Sequence, residues 1–147
     1  MESLDSAALR DEFARDARRN GAAYGAYTAA EVLVARETLG LTRAALGDAL
    51  GVTERAVARW EDGQRAISDE CATGLDALME RAEREVQAVV RAMQDAPQRD
   101  RRLLVYRSDA HLAASGGEPG RTAGWTRAIA RRVQDRFDGQ VDIDFMP

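Results

Sequence analysis

The chain has 147 residues, with 21 arginines and no lysine, one histidine, one cysteine and a formal charge of −4. That length suits one compact domain or two small ones and excludes a large multidomain enzyme. The acidic balance argues against a polycation that coats nucleic acid or membranes without specificity. One cysteine cannot close an intrachain disulfide, and with a single histidine it cannot build an ordinary structural zinc site. The 28 alanines, strong helix formers, offset a low content of Leu, Ile, Val and Phe and point to helices.

The N-terminus carries Asp5, Arg10, Asp11 and Glu12 where a signal peptide needs an apolar core. The longest stretch without a charge, residues 20–30, is far short of the ~20 apolar residues of a spanning helix. A soluble, cytoplasmic protein is expected. Leu9, Phe13 and Ala17 recur every four residues and predict a helix over about 6–19, stopped by Asn20-Gly21. Residues 1–27 thus read as an N-terminal extension with one helix.

Residues 28–68 carry three helix caps and three stops in forty positions. Thr28 caps a first helix reaching about Leu39, with Val32 and Leu39 inward, and Gly40-Leu41 ends it. Thr42 caps a second helix over 43–50, with Ala45, Leu46 and Ala49 inward. Gly51 makes a tight turn plugged by Val52. Thr53 caps a third helix over 54–62, closed by Gly63. Two short helices crossing at roughly 90–120° need a small residue where they touch, and Gly47 stands there. Val57 and Trp60 point back to the core. Glu54, Arg55, Ala56, Ala58 and Arg59 are left outward, with Asp62 on the same side.

This stretch resembles the lambda-repressor-like, or XRE, helix-turn-helix family. The residues that carry the likeness are Arg36, Gly40-Leu41-Thr42, Leu46, Gly51-Val52-Thr53, Val57 and Trp60-Glu61-Asp62-Gly63. The resemblance implies that the third helix lies in a major groove, where Arg55 and Arg59 would read base edges. Thr42 and Arg43 would contact phosphate, and Arg36 and Glu61 would form an internal ion pair. Thr53, Glu54, Ala56 and Ala58 complete the expected DNA-facing set. Glu54 either favours the helix dipole or accepts from a cytosine amine, and Arg65 touches the backbone or nothing. Gly47 stands where Ala is commoner in the family.

Residues 69–96 predict one long helix ended by Pro97. Its apolar stripe runs through Cys71, Leu75, Leu78, Met79, Ala82, Val86, Val89, Val90 and Met93. The rest of the chain could cover it, but packing across a dimer axis is the favoured expectation. Cys71 reads as a buried small apolar residue.

Residues 97–147 read β-α-α-β. Residues 102–107 and 140–145 alternate as strands, Ser108-Asp109 starts a short helix, and Thr122 or Gly124 starts a longer one with Trp125, Ile129, Val133 and Phe137 at intervals of four. Two strands alone make a marginal sheet, which suggests pairing with a second chain. The tail residues Val105-Tyr106-Arg107-Ser108-Asp109, Leu112, Gly124-Trp125, Ala128, Ile129 and Asp142-Ile143-Asp144-Phe145 resemble the YdiL-like group, which includes anti-CRISPR-associated autoregulators of phages and mobile elements. That resemblance implies a homodimer joined through its C-terminal domain, bound to an inverted-repeat operator that it represses.

The expected fold is mainly α with a small α+β tail: an N-terminal lambda-repressor-like helix-turn-helix bundle with a long connecting helix over 28–96, and a β-α-α-β dimerisation domain over 97–147. Leu78, Val86, Val89, Trp125, Ile129, Val133 and Phe145 form the expected dimer interface. The expected partners are a second copy and palindromic double-stranded DNA, with no membrane. Two rivals stand beside this reading: an antitoxin that represses its own operon, and an RNA-binding regulator using the arginines at 99, 101, 102, 107, 127, 131, 132 and 136.

No enzymatic site emerges. His111 stands without an acid–nucleophile pattern. The loop 115–122 departs from a phosphate loop at its first position and puts Arg121 where the lysine would be. Asp142 and Asp144 read as solvated residues on an edge strand. Neither a cofactor nor a metal is expected.

Overall fold

The computed structural model describes residues 27–147. The predicted helix over 6–19 lies outside them. Helices α1 (Ala29–Thr38), α2 (Arg43–Leu50), α3 (Glu54–Glu61) and α4 (Asp69–Gln94) are followed by a single 3-10 turn, Gln98–Asp100. Then come β1 (Arg102–Val105), α5 (Asp109–Ala114), α6 (Ala123–Arg136) and β2 (Asp142–Phe145). The described residues are mainly helical with one two-stranded sheet. No helix among the described residues is long and apolar enough to cross a membrane.

The chain divides into two compact units. The N-terminal unit holds residues 27–36 and 43–76 of the described chain, and the C-terminal unit holds Glu37–Thr42 and Ala77–Pro147. The division falls inside α4, not after Ala96 as expected. Chemistry on the helix explains this: beyond Asp76 it carries Ala82 and Val86, both buried, and Glu83 and Glu85, which bond arginines of the C-terminal segment.

In the N-terminal unit the core is Val32, Ala35, Leu46, Val57, Trp60, Ile67, Cys71, Ala72 and Leu75. The cap expected at Thr28 is formed. Thr28 Oγ1 accepts the Glu31 amide while Glu31 reaches back to the Thr28 amide, a reciprocal capping box. Ser68 caps α4 through the Cys71 amide. The hydroxyl of Tyr27 donates to the Asp76 carboxylate. One inward assignment is corrected. Leu46 is fully buried, but Ala49 is exposed and Ala45 only half-buried; Gly47 takes the buried place. An eight-residue helix presents barely two turns, and its inner face centres on 46 and 47. Leu50 then meets α4, where a side chain on Gly74 would collide with the Leu50 methyl.

In the C-terminal unit the two strands pair with each other, in parallel, with Arg102 opposite Asp142 and Val105 opposite Phe145. The sequence had suggested a partner strand from a second chain. The two intervening helices return the chain in the same direction, so β2 runs alongside β1 as in any crossover unit. Thr122 caps α6, whose Trp125, Ile129 and Val133 are buried. Asp109 adds a second cap by accepting the Ala123 amide at 2.8 Å. The segment Glu37–Thr42 joins this unit with Leu39 and Leu41 buried, and Gly40 meets Gly124 backbone to backbone: a Cβ on either would lie about 2 Å from the other's carbonyl oxygen.

Candidate nucleic-acid interface

Helices α2 and α3 form the bend. The Val52 amide donates to the Gly47 carbonyl at 2.8 Å and the Gly51 amide to Asp48, which satisfies the last carbonyls of α2. Gly51 takes φ +72°, where a side chain would be strained. At Gly47 a Cβ would lie 2.8 Å from the Val52 carbonyl oxygen, so the two segments can approach only because that position is bare.

Thr53 then caps α3 by accepting the Ala56 amide at 3.1 Å. Acidic Glu54 in the first turn complements the helix dipole. Val57 is fully buried and Trp60 nearly so, which fixes the rotation of the helix. The opposite side then faces solvent: Glu54 and Arg55 are exposed, and Ala56, Ala58 and Arg59 half-exposed. The two alanines keep the surface low between two long guanidinium arms. Arg65, past the helix end, is exposed and its amide bonds the Arg59 carbonyl. The side chains of Arg55, Arg59 and Arg65 make no hydrogen bond or ion pair among the described residues.

Behind this face sits Glu61, whose side chain is 2 % exposed. Arg36 grips it with both arms of a fork, Nε to Oε2 at 2.8 Å and Nη2 to Oε1 at 2.9 Å. This is the bidentate geometry that guanidinium and carboxylate share. Arg43, the first residue of α2, also donates from Nε to Oε1 at 3.3 Å. Sequence reasoning placed Arg43 outward and gave Glu61 to Arg36 alone. The link spans 18 residues, and no local pattern signals it. Burial pushes the Glu61 carboxyl up, but the bonds and charge of Arg36, then of Arg43, outweigh it and hold it below the ordinary carboxylate range. Thr42 is exposed at the start of α2.

The seven residues expected at a dimer interface separate into two groups. Val86 and Val133 are fully buried, and Trp125 and Ile129 nearly so, inside the C-terminal unit itself. Their surface is already used within one chain and is withdrawn from the expected interface. Leu78 and Val89 are half-exposed, and Phe145 is 45 % exposed with the Arg107 guanidinium 4.1 Å above its ring.

An inward pair on α3, a glycine turn, a capped helix and an outward arginine face define a helix-turn-helix. Residues 34–70 match the helix-turn-helix family model. An XRE-like domain of this kind supports a DNA-binding transcriptional regulator. No curated protein matches the chain.

Proposed function

We propose that the protein is an autorepressor that binds an inverted-repeat operator as a homodimer, in the manner of the YdiL-like and anti-CRISPR-associated regulators its tail resembles. One observation carries this most: the outward face of α3 holds Arg55 and Arg59 without side-chain partners among the described residues, while its inward face is locked by Val57 and Trp60. A guanidinium with no partner offers two parallel donors to guanine O6 and N7, the commonest specific base contact. Thr53 and Glu54 stand at the start of α3, Ala56 and Ala58 bring the helix close to the groove floor, and Arg65 flanks it toward phosphate. In a dimer, two such helices would sit about 34 Å apart in successive major grooves.

With Val86, Trp125, Ile129 and Val133 inside the fold, the proposed dimer contact centres on Leu78, Val89 and Phe145. The RNA reading draws less support, because the tail arginines bond carboxylates, carbonyls or rings of their own chain.

The test is selection of duplexes from a random library by the purified chain, then titration of Arg55→Ala on the selected and a scrambled duplex. A palindrome with half-sites one helical turn apart is expected. Arg55→Ala should weaken the selected duplex by about 1–3 kcal/mol and leave the scrambled one nearly unchanged. An equal loss on both duplexes would remove the base-reading role.

A further inference from the structure

We infer that Glu61 positions Arg43 for phosphate, so that this buried carboxylate contributes to DNA affinity as well as to the fold. The inference rests on the DNA-binding reading and adds a residue that does not itself reach DNA.

Three facts carry it. First, Arg36 already uses both oxygens of Glu61, through Nε and Nη2 at 2.8 and 2.9 Å, so the carboxylate charge is matched before Arg43 arrives. Arg43 therefore adds a second guanidinium to a carboxylate that already has one. Second, Arg43 is the more exposed of the two. Its side chain is 41 % exposed, against 15 % for Arg36. Third, Arg43 reaches Glu61 through Nε alone, at 3.3 Å. No hydrogen bond or ion pair of its two terminal nitrogens occurs among the described residues. The carboxylate therefore holds the guanidinium at its root and leaves the two outer NH2 groups available to one anion.

Arg43 is also the first residue of α2, at the positive end of the helix dipole. A flexible arginine would lose side-chain freedom on meeting phosphate, whereas one already tethered has less to lose. Arginine puts the two tasks on different nitrogens. A lysine in its place has its three donors on a single nitrogen, so it cannot be held at its root by Glu61 and present a separate pair of donors outward.

The experiment uses the full chain and fluorescence anisotropy on a duplex selected by the wild type, across a salt series. Arg43→Ala should weaken the selected and the scrambled duplex alike and reduce the slope of log affinity against log salt by about one. Arg43→Lys keeps the charge, so its slope should match the wild type. Its affinity should nonetheless fall by at least half of the logarithmic loss seen for Arg43→Ala. A Lys variant that binds as tightly as the wild type overturns the positioning role, because charge alone then suffices. A purely structural Arg43 would lower the melting temperature without moving the salt slope, and that result overturns it too. In a Glu61→Gln background the Arg43→Ala penalty should shrink, and an undiminished penalty in a folded double variant counts against the tether. If Glu61→Gln does not fold, the Lys variant decides. A wild-type chain that binds no duplex at any salt overturns the DNA reading itself, a distinct outcome from a tight Lys variant.

Discussion

The two units handle arginine in opposite ways. In the N-terminal unit Arg36 and Arg43 converge on one buried carboxylate, and Arg55, Arg59 and Arg65 keep their guanidinium groups for solvent. In the C-terminal unit the arginines from Arg99 to Arg136 bond or stack on their own chain. Glu85 takes two bonds from Arg121 and one from Trp125 Nε1, and Glu83 takes Arg132 and Arg136. Arg102 pairs with Asp144 across the sheet, Arg127 donates to the Tyr106 and Arg107 carbonyls, and Arg101 and Arg107 lie over Phe137 and Phe145. The tail is the only net-positive stretch of the sequence, yet its cations are the more committed ones. Counting charges along a chain therefore misjudges which surface can bind a polyanion; the partner of each charge decides it.

The strongest test of this contrast is removal of the central carboxylate in each unit. Glu61→Ala removes the buried carboxylate that both Arg36 and Arg43 bond, and breaking a buried pair by removing one partner costs about 3–5 kcal/mol. Glu83, 36 % exposed, holds Arg136, 46 % exposed, and Arg132, 25 % exposed with an Nη1 that is buried without a hydrogen-bond partner among the described residues, so Glu83→Ala should cost less, about 1–2 kcal/mol. Urea unfolding of both variants measures the difference. Equal losses would mean that the C-terminal lacing is as structural as the buried centre.

The next effect in size concerns packing. Gly124→Ala would place a methyl about 2 Å from the Gly40 carbonyl oxygen, a backbone atom that no rotamer change can move. The segment Glu37–Thr42 would have to shift away from the first turn of α6, at about 1–3 kcal/mol as for other overpacked sites. Hydrogen exchange on the C-terminal unit should report the loosening around Leu39 and Trp125. Unchanged protection there would show that the glycine contact is incidental.

Acid should affect both units, and this qualifies the contrast. The Glu61 and Glu85 carboxyls feel burial that pushes them up, outweighed in Glu61 by Arg36 and Arg43 and in Glu85 by Arg121 and Trp125. Arg136 lowers Glu83 most directly. All three lie below the ordinary carboxylate range in the folded chain. A group whose folded value is lowered stabilises fully above its unfolded value, and that contribution is lost as pH falls through the folded one. Stability from these groups is thus flat from pH 7 to about 5 and declines below about 4.5. Urea midpoints measured between pH 6 and 3 should show that decline. It should be shallower in Glu61→Gln and in Glu85→Gln, each by its own share. A midpoint that falls between pH 7 and 5 would point to other groups.

What could be read from the sequence was what local chemistry writes. The caps Thr28, Thr53, Ser108 and Thr122 each bond an amide three residues on, so the helix starts were legible within a residue or two. The inward pair Val57 and Trp60 followed from helical period, and with it the outward arginines. The Arg36–Glu61 contact came from resemblance, not from spacing, since 25 residues separate the partners. The Arg43 link, the Glu83 and Glu85 hubs and the Gly40–Gly124 contact join distant positions and leave no periodic trace. The apolar stripe of α4 was legible, but its cover was not. A hydrophobic face looks the same in sequence whether its own chain or a second copy buries it, and Val86 turned out to face its own chain.

The smallest expected effect bears most directly on the rival reading of the tail. Arg131 pairs with Asp135 one turn on, both largely exposed at 72 % and 59 %. Such i,i+4 surface pairs contribute about 0.3–0.5 kcal/mol, and salt screens even that. Arg131→Ala should leave the urea midpoint and the affinity for the selected duplex within error. If the tail were an RNA-binding surface, an arginine this exposed would be among the first to meet phosphate, and its loss would lower RNA retention on a filter and flatten the salt slope. No change in either keeps nucleic-acid recognition with the outward arginines of α3. A several-fold loss of RNA retention, with DNA binding intact, would show that exposed arginine pairs in the tail exchange their carboxylates for phosphate.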